Sequence, residues 1–436
     1  MIRLIVVLSL LFATIARAEV VIREVQTPGG IAAWLVEDDS IPFVALELRF
    51  RGGASLDEPG KRGATTMMMA LLEEGTGQMD ARAFARATES LAASFGYDAY
   101  DDAVSVSAKF LTENRDQAVD LLRGSIVAPN FDDEAIERVR AQMLSVIQSD
   151  LRNPRELARQ SFGRLVFGDH PYGSAQDGTV DSVSALTRDD IVAAHRAALT
   201  RDRLYVSAVG DINSEELAVL LDRLLGDLPA MGAPLPEPAD VNLPGGIKLV
   251  DFETPQSVVT FAQPGLGRED PDFFAAYLLN QILGGGSFES RLMNEVRNKR
   301  GLTYGVYTYL LDKDGAQIWM GSVSSANDRV AEAIAVIVEE WERIRTDGVT
   351  EAELTDAKTY LTGAYPLRFD GNGPIANIAV GMQMEGLPSD YIARRNDLVE
   401  AVTLEDVNRV ARELLDPARL TFVVVGQPEG LTATLN

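Results

Sequence analysis

The strongest constraint on the fold is an internal repeat. The segment LTRDDIVAAHRAALTRDRLYVSAVGD, Leu186 to Asp211, returns as VTLEDVNRVARELLDPARLTFVVVGQ, Val402 to Gln427. Thr187 pairs with Thr403, Asp190 with Asp406, Arg203 with Arg419, Leu204 with Leu420 and Gly210 with Gly426, always 216 residues apart. Each copy reads as an N-capping Thr, an amphipathic helix, a short turn and a β-branched run ending at Gly. A second echo, NFDDEAIERVR near 130 and GVTEAELTDAK near 348, repeats an acidic helix start. Solenoid repeats are far shorter than this spacing, so the period implies duplicated domains.

At 436 residues the chain is too long for one ordinary core. Between the two copies lies LPAMGAPLPEPADVNLPGG, Leu228 to Gly246, whose five prolines resist both helix and sheet pairing. The expected organisation is therefore an N-terminal domain over 19–230, a linker over 231–246 and a C-terminal domain over 247–436. Strand patterns at Phe43–Phe50, Ala103–Leu111 and Arg203–Gly210 alternate with helical ones. Both hairpin-like and helix-linked connections occur, which favours α+β domains, each a mainly antiparallel sheet covered by helices.

Residues 1–18, MIRLIVVLSLLFATIARA, combine a basic start, an apolar run and a small-residue ending at Ala16-Arg17-Ala18. This is the pattern of a cleavable export signal, cut after Ala18, and the run is too short to span a bilayer comfortably. The chain is thus expected in a periplasm or outside the cell, with no membrane insertion once the leader is gone. Cysteine is absent, which excludes disulfides, thiolate metal sites and a cysteine nucleophile. The net charge of −25 becomes −27 without Arg3 and Arg17, and it disfavours nucleic acid as a partner.

The usual catalytic constellations are missing. There are two histidines, His170 in the loop GDHPYGS and His195 in the helical pattern Asp189–Leu199, and neither has a second histidine nearby. The spacing of His195 suggests a surface or half-buried place. No Gly-x-Ser-x-Gly elbow follows a strand, and GGGS at Gly284–Ser287 lacks the Lys-Ser/Thr of a phosphate loop. The glycines there allow a tight backbone approach. The surrounding block, LGGGSFESRLMNEVRNKRGLTYGVYTYL, reads as glycine loop, helix ending near Lys299–Gly301, then a strand over Thr303–Leu310. Arg297 in the last helical turn and Tyr304 at the strand's start can project to one side of that junction. There they offer donors to a carbonyl or an oxyanion. The same two residues also suit a structural reading, a cation at a helix C-terminus and a core tyrosine.

In these segments the chain resembles the insulinase-like, or pitrilysin-type, peptidases, whose inverted zinc motif is His-x-x-Glu-His. The resemblance spans RGGASLDEPGKRG, FGDHPYG, the block from Gln263 to Tyr307 and the two-domain repeat. It implies the metallopeptidase-like architecture of the processing peptidases. In that family a helix follows the first segment and carries two zinc-binding histidines and a glutamate that activates water. Laid on GATTMMMALLEEGTG, those positions fall on Thr66, Met69 and Ala70. The third ligand would fall near Ser145–Ile147, and no carboxylate lies between Gln142 and Gln148. No metal ligand is therefore expected in this chain. The family's other pair, an Arg and a Tyr seven residues later that hold substrate carbonyls, matches Arg297 and Tyr304. The resemblance thus implies a zinc-less subunit that acts on peptides beside a homologous chain with the intact motif and its zinc. Gly284, Gly285 and Gly286 would line the chamber wall. The rival expectation is a non-enzymatic scaffold or peptide-binding protein that keeps the fold.

Overall fold

The computed structural model describes residues 20–286 and 288–435, so the expected leader lies outside the described residues. The repeat appears as two sheets with one strand order. In the N-terminal sheet the strands run Arg23–Gln26, Ala32–Glu37, Leu204–Gly210, Phe43–Arg51, Ala103–Leu111, Ser94–Ala99. In the C-terminal sheet they run Gly246–Asp251, Thr421–Gly426, Gln256–Pro264, Ala316–Ala326, Val306–Lys313. Apart from the extra first strand, the two sheets correspond strand for strand. Each contains one parallel pair, Ala32–Glu37 with Leu204–Gly210 and Gly246–Asp251 with Thr421–Gly426, and its other pairings are antiparallel. The architecture is α+β, as the sequence pattern implies.

The repeated residues have repeated jobs. Thr187 and Thr403 each cap a helix, Arg188–Ala198 and Leu404–Leu414, in reciprocal boxes with Asp190 and Asp406. Gly210 and Gly426 each end a strand with positive φ, at 138° and 152°. A Cβ on Gly210 would lie 2.1 Å from the Phe43 carbonyl oxygen, and one on Gly426 2.4 Å from Ser257 Oγ.

Period-two alternation splits each sheet into two faces. In Phe43–Arg51, Val44, Leu46, Leu48 and Phe50 enter the N-terminal core with helices such as Ala64–Leu71 and Ser214–Leu225. Phe261, Val259 and Trp319 do the same in the C-terminal core, where the Trp341 indole donates to Gln263 Oε1 at 2.8 Å.

The opposite faces are covered by exchange. Helix Pro154–Phe167 of the N-terminal half lies on the C-terminal sheet, with Ala158 packed against Val258 and Val425, which are register partners. Helix Asn372–Met384 of the C-terminal half lies on the N-terminal sheet, with Ala376 against the register partners Ala45 and Val209. Polar contacts reinforce the exchange. The Gln383 side-chain amide bonds both N–H and C=O of Val206, each at 3.0 Å, just before the neighbouring strand begins its pairing at Trp34–Ser207. The turn after Val306–Lys313 reaches back to the first half, with Lys313 on Asp101 at 2.5 Å and Asp314 on Arg51 at 3.0 Å. Residues 230–245 form no helix or strand, but Leu243 is buried among Phe162, Val166 and Ile318, at the junction of the two halves.

This packing can be tested in two places. Ala158 and Ala376 are both fully buried, so Ala158→Leu or Ala376→Leu overpacks the exchange and costs on the order of 1–3 kcal/mol each. Urea unfolding measures the loss, and proteolysis within 230–245 should quicken. The second place is Glu47, on the same strand face as Ala45 and 8% exposed. Burial raises its pKa to about 7, while Arg49 and Lys109 pull it down less strongly. The native state therefore holds this proton above the ordinary carboxylate range. Its contribution is fully present below about pH 4.5 and is lost as pH rises to about 7. Glu47→Gln should stabilise the chain at pH 8 by up to roughly 3 kcal/mol and leave it unchanged at pH 4. Equal effects at both pH values in urea titrations would contradict this.

Candidate functional site

The helix at the motif position, Ala64–Leu71, is anchored by the segment before it. Asp57 accepts bonds from the Gly63 N–H at 2.8 Å, the Thr65 N–H at 2.9 Å and the Thr65 hydroxyl at 2.6 Å. Arg62 donates to the carbonyls of Ala54 and Pro171 and to Asp101, fastening the same corner. The three motif positions have other uses. Thr66 donates its hydroxyl to the Gln176 carbonyl at 3.1 Å, Met69 is 1% exposed in the core, and half-buried Ala70 packs against that core. On helix Asp133–Asp150, Ser145 and Val146 face solvent and Ile147 is buried. Among the described residues no group of three or more His, Cys, Asp or Glu side chains is placed to hold a metal.

The histidines are occupied elsewhere. His195 is buried, not at the surface, because it stands one helical turn from Ile191 on the apolar stripe. Its Nε2 lies 2.7 Å from the Ile126 carbonyl, its ring meets Phe131 edge-on, and burial lowers its pKa. His170 accepts the Tyr172 N–H at Nδ1, and its Nε2 sits 3.1 Å from the Glu237 carbonyl, the pattern of a neutral ring protonated at Nε2.

The C-terminal block is organised around a wide helical turn. Residues Met293–Asn298 are π-helical, with the Lys299 N–H bonded to the Asn294 carbonyl at 2.9 Å; such turns often mark functional places. Ion pairs brace its rear. Glu295 holds Lys299 at 2.5 Å and Arg300 at 2.7 Å, with Arg343 at 3.9 Å. Just ahead of the turn, Arg291 grips Glu353 through two bonds of 2.6 and 2.9 Å. Burial works against the Glu353 charge, but the bonds from Arg291 and Thr350 outweigh it and hold that carboxyl at about 2.

Arg297 is different. Among the described residues it has no ion pair, and its guanidinium stacks 4.9 Å over the exposed Phe288 ring. The chain then folds back, with the Leu302 N–H on the Val296 carbonyl at 2.9 Å, two residues ahead of Tyr304. Tyr304 is 88% exposed and stands ahead of the strand, not in it, since pairing begins at Val306. The reason is Thr303, whose hydroxyl accepts the Gly305 N–H at 3.1 Å and donates to the Ser324 carbonyl at 2.7 Å, closing a tight turn. No hydrogen bond joins Arg297 to Tyr304 among the described residues. Within the described residues both are thus open to a third group.

The glycines ahead of this turn serve mostly internal packing. A Cβ on Gly284 would stand 2.7 Å from Thr308 Oγ1, and one on Gly285 2.6 Å from Gln281 Cα. Gly284 is buried and Gly285 half-buried; Gly286, with φ of 86°, is the exposed one. Two features escape a reading of the sequence by spacing alone. One is Phe288 beneath Arg297, signalled by an apolar residue in an otherwise polar FES step. The other is that, among the described residues, Ser94–Ala99 and Val306–Lys313 lie at corresponding edges of the two sheets.

Comparison with known proteins agrees with this geometry. The family model described as insulinase (peptidase family M16) matches residues 33–175, and that described as peptidase M16 inactive domain matches 185–361. A non-peptidase homologue of Helicobacter pylori, YmxG, is 27% identical over 89% of this chain and 90% of its own length. An uncharacterised zinc protease of Streptomyces coelicolor is 26% identical over 93% and 89%. The crystal structure of a peptidase M16 inactive domain from Pseudomonas fluorescens superposes with a TM-score of 0.87 at 29% identity, covering 95% of this chain and all of that one. The chain belongs to the insulinase family of M16 peptidases, with an M16 peptidase domain followed by the domain described as M16 inactive.

Proposed function

We propose that this chain is the zinc-less subunit of an exported, heteromeric zinc metallopeptidase, working in a periplasm or outside the cell. Its partner is a homologous subunit with an intact His-x-x-Glu-His motif, and the substrate is a peptide held between the two. The partner's zinc supplies the activated water. This chain closes the chamber and supplies Arg297 and Tyr304. The observation that carries the reading is the contrast between the two halves. The motif helix is absorbed into the core, whereas an arginine with no counter-charge among the described residues and an 88% exposed tyrosine stand beside a turn braced from behind.

The chemistry asked of the pair is modest. Arg297 donates to a substrate carbonyl and fixes the peptide's register, and the Tyr304 hydroxyl donates to the oxygen on which negative charge develops. The half-exposed Gly285 and exposed Gly286 leave room for backbone beside them. A second reading, a scaffold or peptide-binding protein without a catalytic share, draws on the relative named a non-peptidase homologue.

Reconstitution separates the two. Mixed with the zinc-bearing partner, the native chain should raise peptide cleavage well above the partner alone. Tyr304→Phe should cut kcat/KM of the mixture by about 10²–10³-fold, the range for loss of one oxyanion donor, and Arg297→Ala by on the order of 10²-fold, as loss of substrate positioning does. A partner fully active alone, or two silent variants, would leave the scaffold reading standing. Metal analysis of the purified chain should find no stoichiometric zinc. Met69→Glu, which restores the acid of the motif at a position 1% exposed, should cost about 3–5 kcal/mol by urea unfolding, as an unpaired charge in a core does.

A further inference from the structure

A second site lies away from Arg297, where the exchanged helix Asn372–Met384 meets helices Phe273–Gly284 and Tyr391–Ala401. A cavity of about 210 Å³ opens there. Its unusual member is Arg395, which is 5% exposed. Its partners are neutral acceptors: the Leu361 carbonyl at 2.9 Å, Asn396 Oδ1 at 3.0 Å and the Tyr277 hydroxyl at 3.4 Å. Among the described residues no carboxylate pairs with it. Buried charges are ordinarily paired, so a buried guanidinium without a counter-ion calls for one.

The walls add to the same polarity. Arg268 lies 4.8 Å over the Phe273 ring and donates to the Tyr391 hydroxyl at 3.4 Å, again without an ion pair among the described residues. Arg368 stands at the rim, and Glu385, exposed, is the acid on the wall. Three guanidinium groups against one carboxylate make a cationic pocket in a chain of net charge −25.

The remaining surface is aromatic. Phe273 and Tyr277 stack nearly parallel, 9° apart at 5.9 Å, and Arg395 sits 4.6 Å over Tyr365 and 5.5 Å over Tyr277. Burial and the neighbouring Tyr391 push the Tyr365 hydroxyl up to about 12, against the pull of the three arginines. It therefore remains a proton donor at neutral pH. The cavity has room for one ring and an acid group.

We infer that this cavity binds a small organic anion, a carboxylate carried on an aromatic ring, with Arg395 and Arg268 taking the carboxylate and the ring packing on the aromatic wall. The site is separate from the peptide chemistry proposed for Arg297 and Tyr304 and stands or falls without it. The test is calorimetric titration of the purified chain with phenylacetate and with phenylacetamide, its uncharged counterpart. Phenylacetate should bind one to one, and the amide at least tenfold more weakly. Arg268→Gln should weaken phenylacetate at least fivefold, and Arg395→Met should abolish binding. Should Arg395→Met fail to fold, Arg268→Gln still decides, because Arg268 is only half-buried. Competition by a short peptide ending in a free Phe carboxylate would identify the anion's source as a chain terminus, and absence of competition a free small molecule. No phenylacetate binding at roughly 10 mM, equal binding of acid and amide, or an Arg268→Gln chain that binds like the native one would overturn the assignment.

Discussion

The structure depends on the reciprocal seating of two alanine-bearing helices. A sheet with one face in its own core must hide the apolar part of the other, and here each half hides it with a helix from its partner half. Ala158 covers Val258 and Val425; Ala376 covers Ala45 and Val209. Alanine lets the helix axis approach the strands closely, so dispersion contacts replace water across the whole junction. Neither half can bury both faces of its sheet alone. The two domains are consequently one mechanical unit, and the distance from the motif helix to the Arg297 turn is set by packing rather than by the proline-rich linker.

That rigidity gives meaning to the uneven fate of the two half-sites. The corner built by Asp57 and Arg62 holds the start of helix Ala64–Leu71 whether or not the helix binds metal. Met67, Met68 and Met69 fill the space behind it, each 1% exposed or less, and flexible thioethers suit such irregular filling. The segment that resembles a metallopeptidase lead-in is thus explained locally by helix anchoring. Its presence says nothing by itself about chemistry.

Much of this is legible in the sequence, and the parts that are not share a physical cause. The 216-residue repeat points to duplication, and the two sheets indeed share one strand order. The paired threonine caps follow from Thr187 and Thr403, since capping is a local interaction between neighbours in the chain. Helical periodicity, by contrast, shows that a helix has an apolar face but not which surface meets it, so it hides the exchange of Pro154–Phe167 and Asn372–Met384. His195 departs from expectation for the same reason: its spacing fits a half-buried position, and the tertiary environment of Ile126 and Phe131 decides. Tyr304 lies inside an alternating run that reads as strand, but one hydroxyl, on Thr303, closes a turn there and delays pairing to Val306. The glycines of 284–286 read as a wall because an absent side chain looks alike from either side. Only the distances from Thr308 and Gln281 show that two of the three face inward.

The isolation of Arg297 is itself a product of the charges around it. Glu295, two residues earlier on the same turn, engages Lys299 and Arg300 at short range, and Arg343 stands beyond them. Glu353 takes Arg291. These pairs consume the nearby carboxylates on the rear of the turn and fix its backbone. The π-helical register then carries Arg297 to a different side, where it rests on the ring of Phe288. A cation resting on a ring keeps its hydrogen-bond donors open, whereas a carboxylate partner would occupy two of them. Under the proposed function, this arrangement lets Arg297 donate to a carbonyl from outside without first breaking an ion pair.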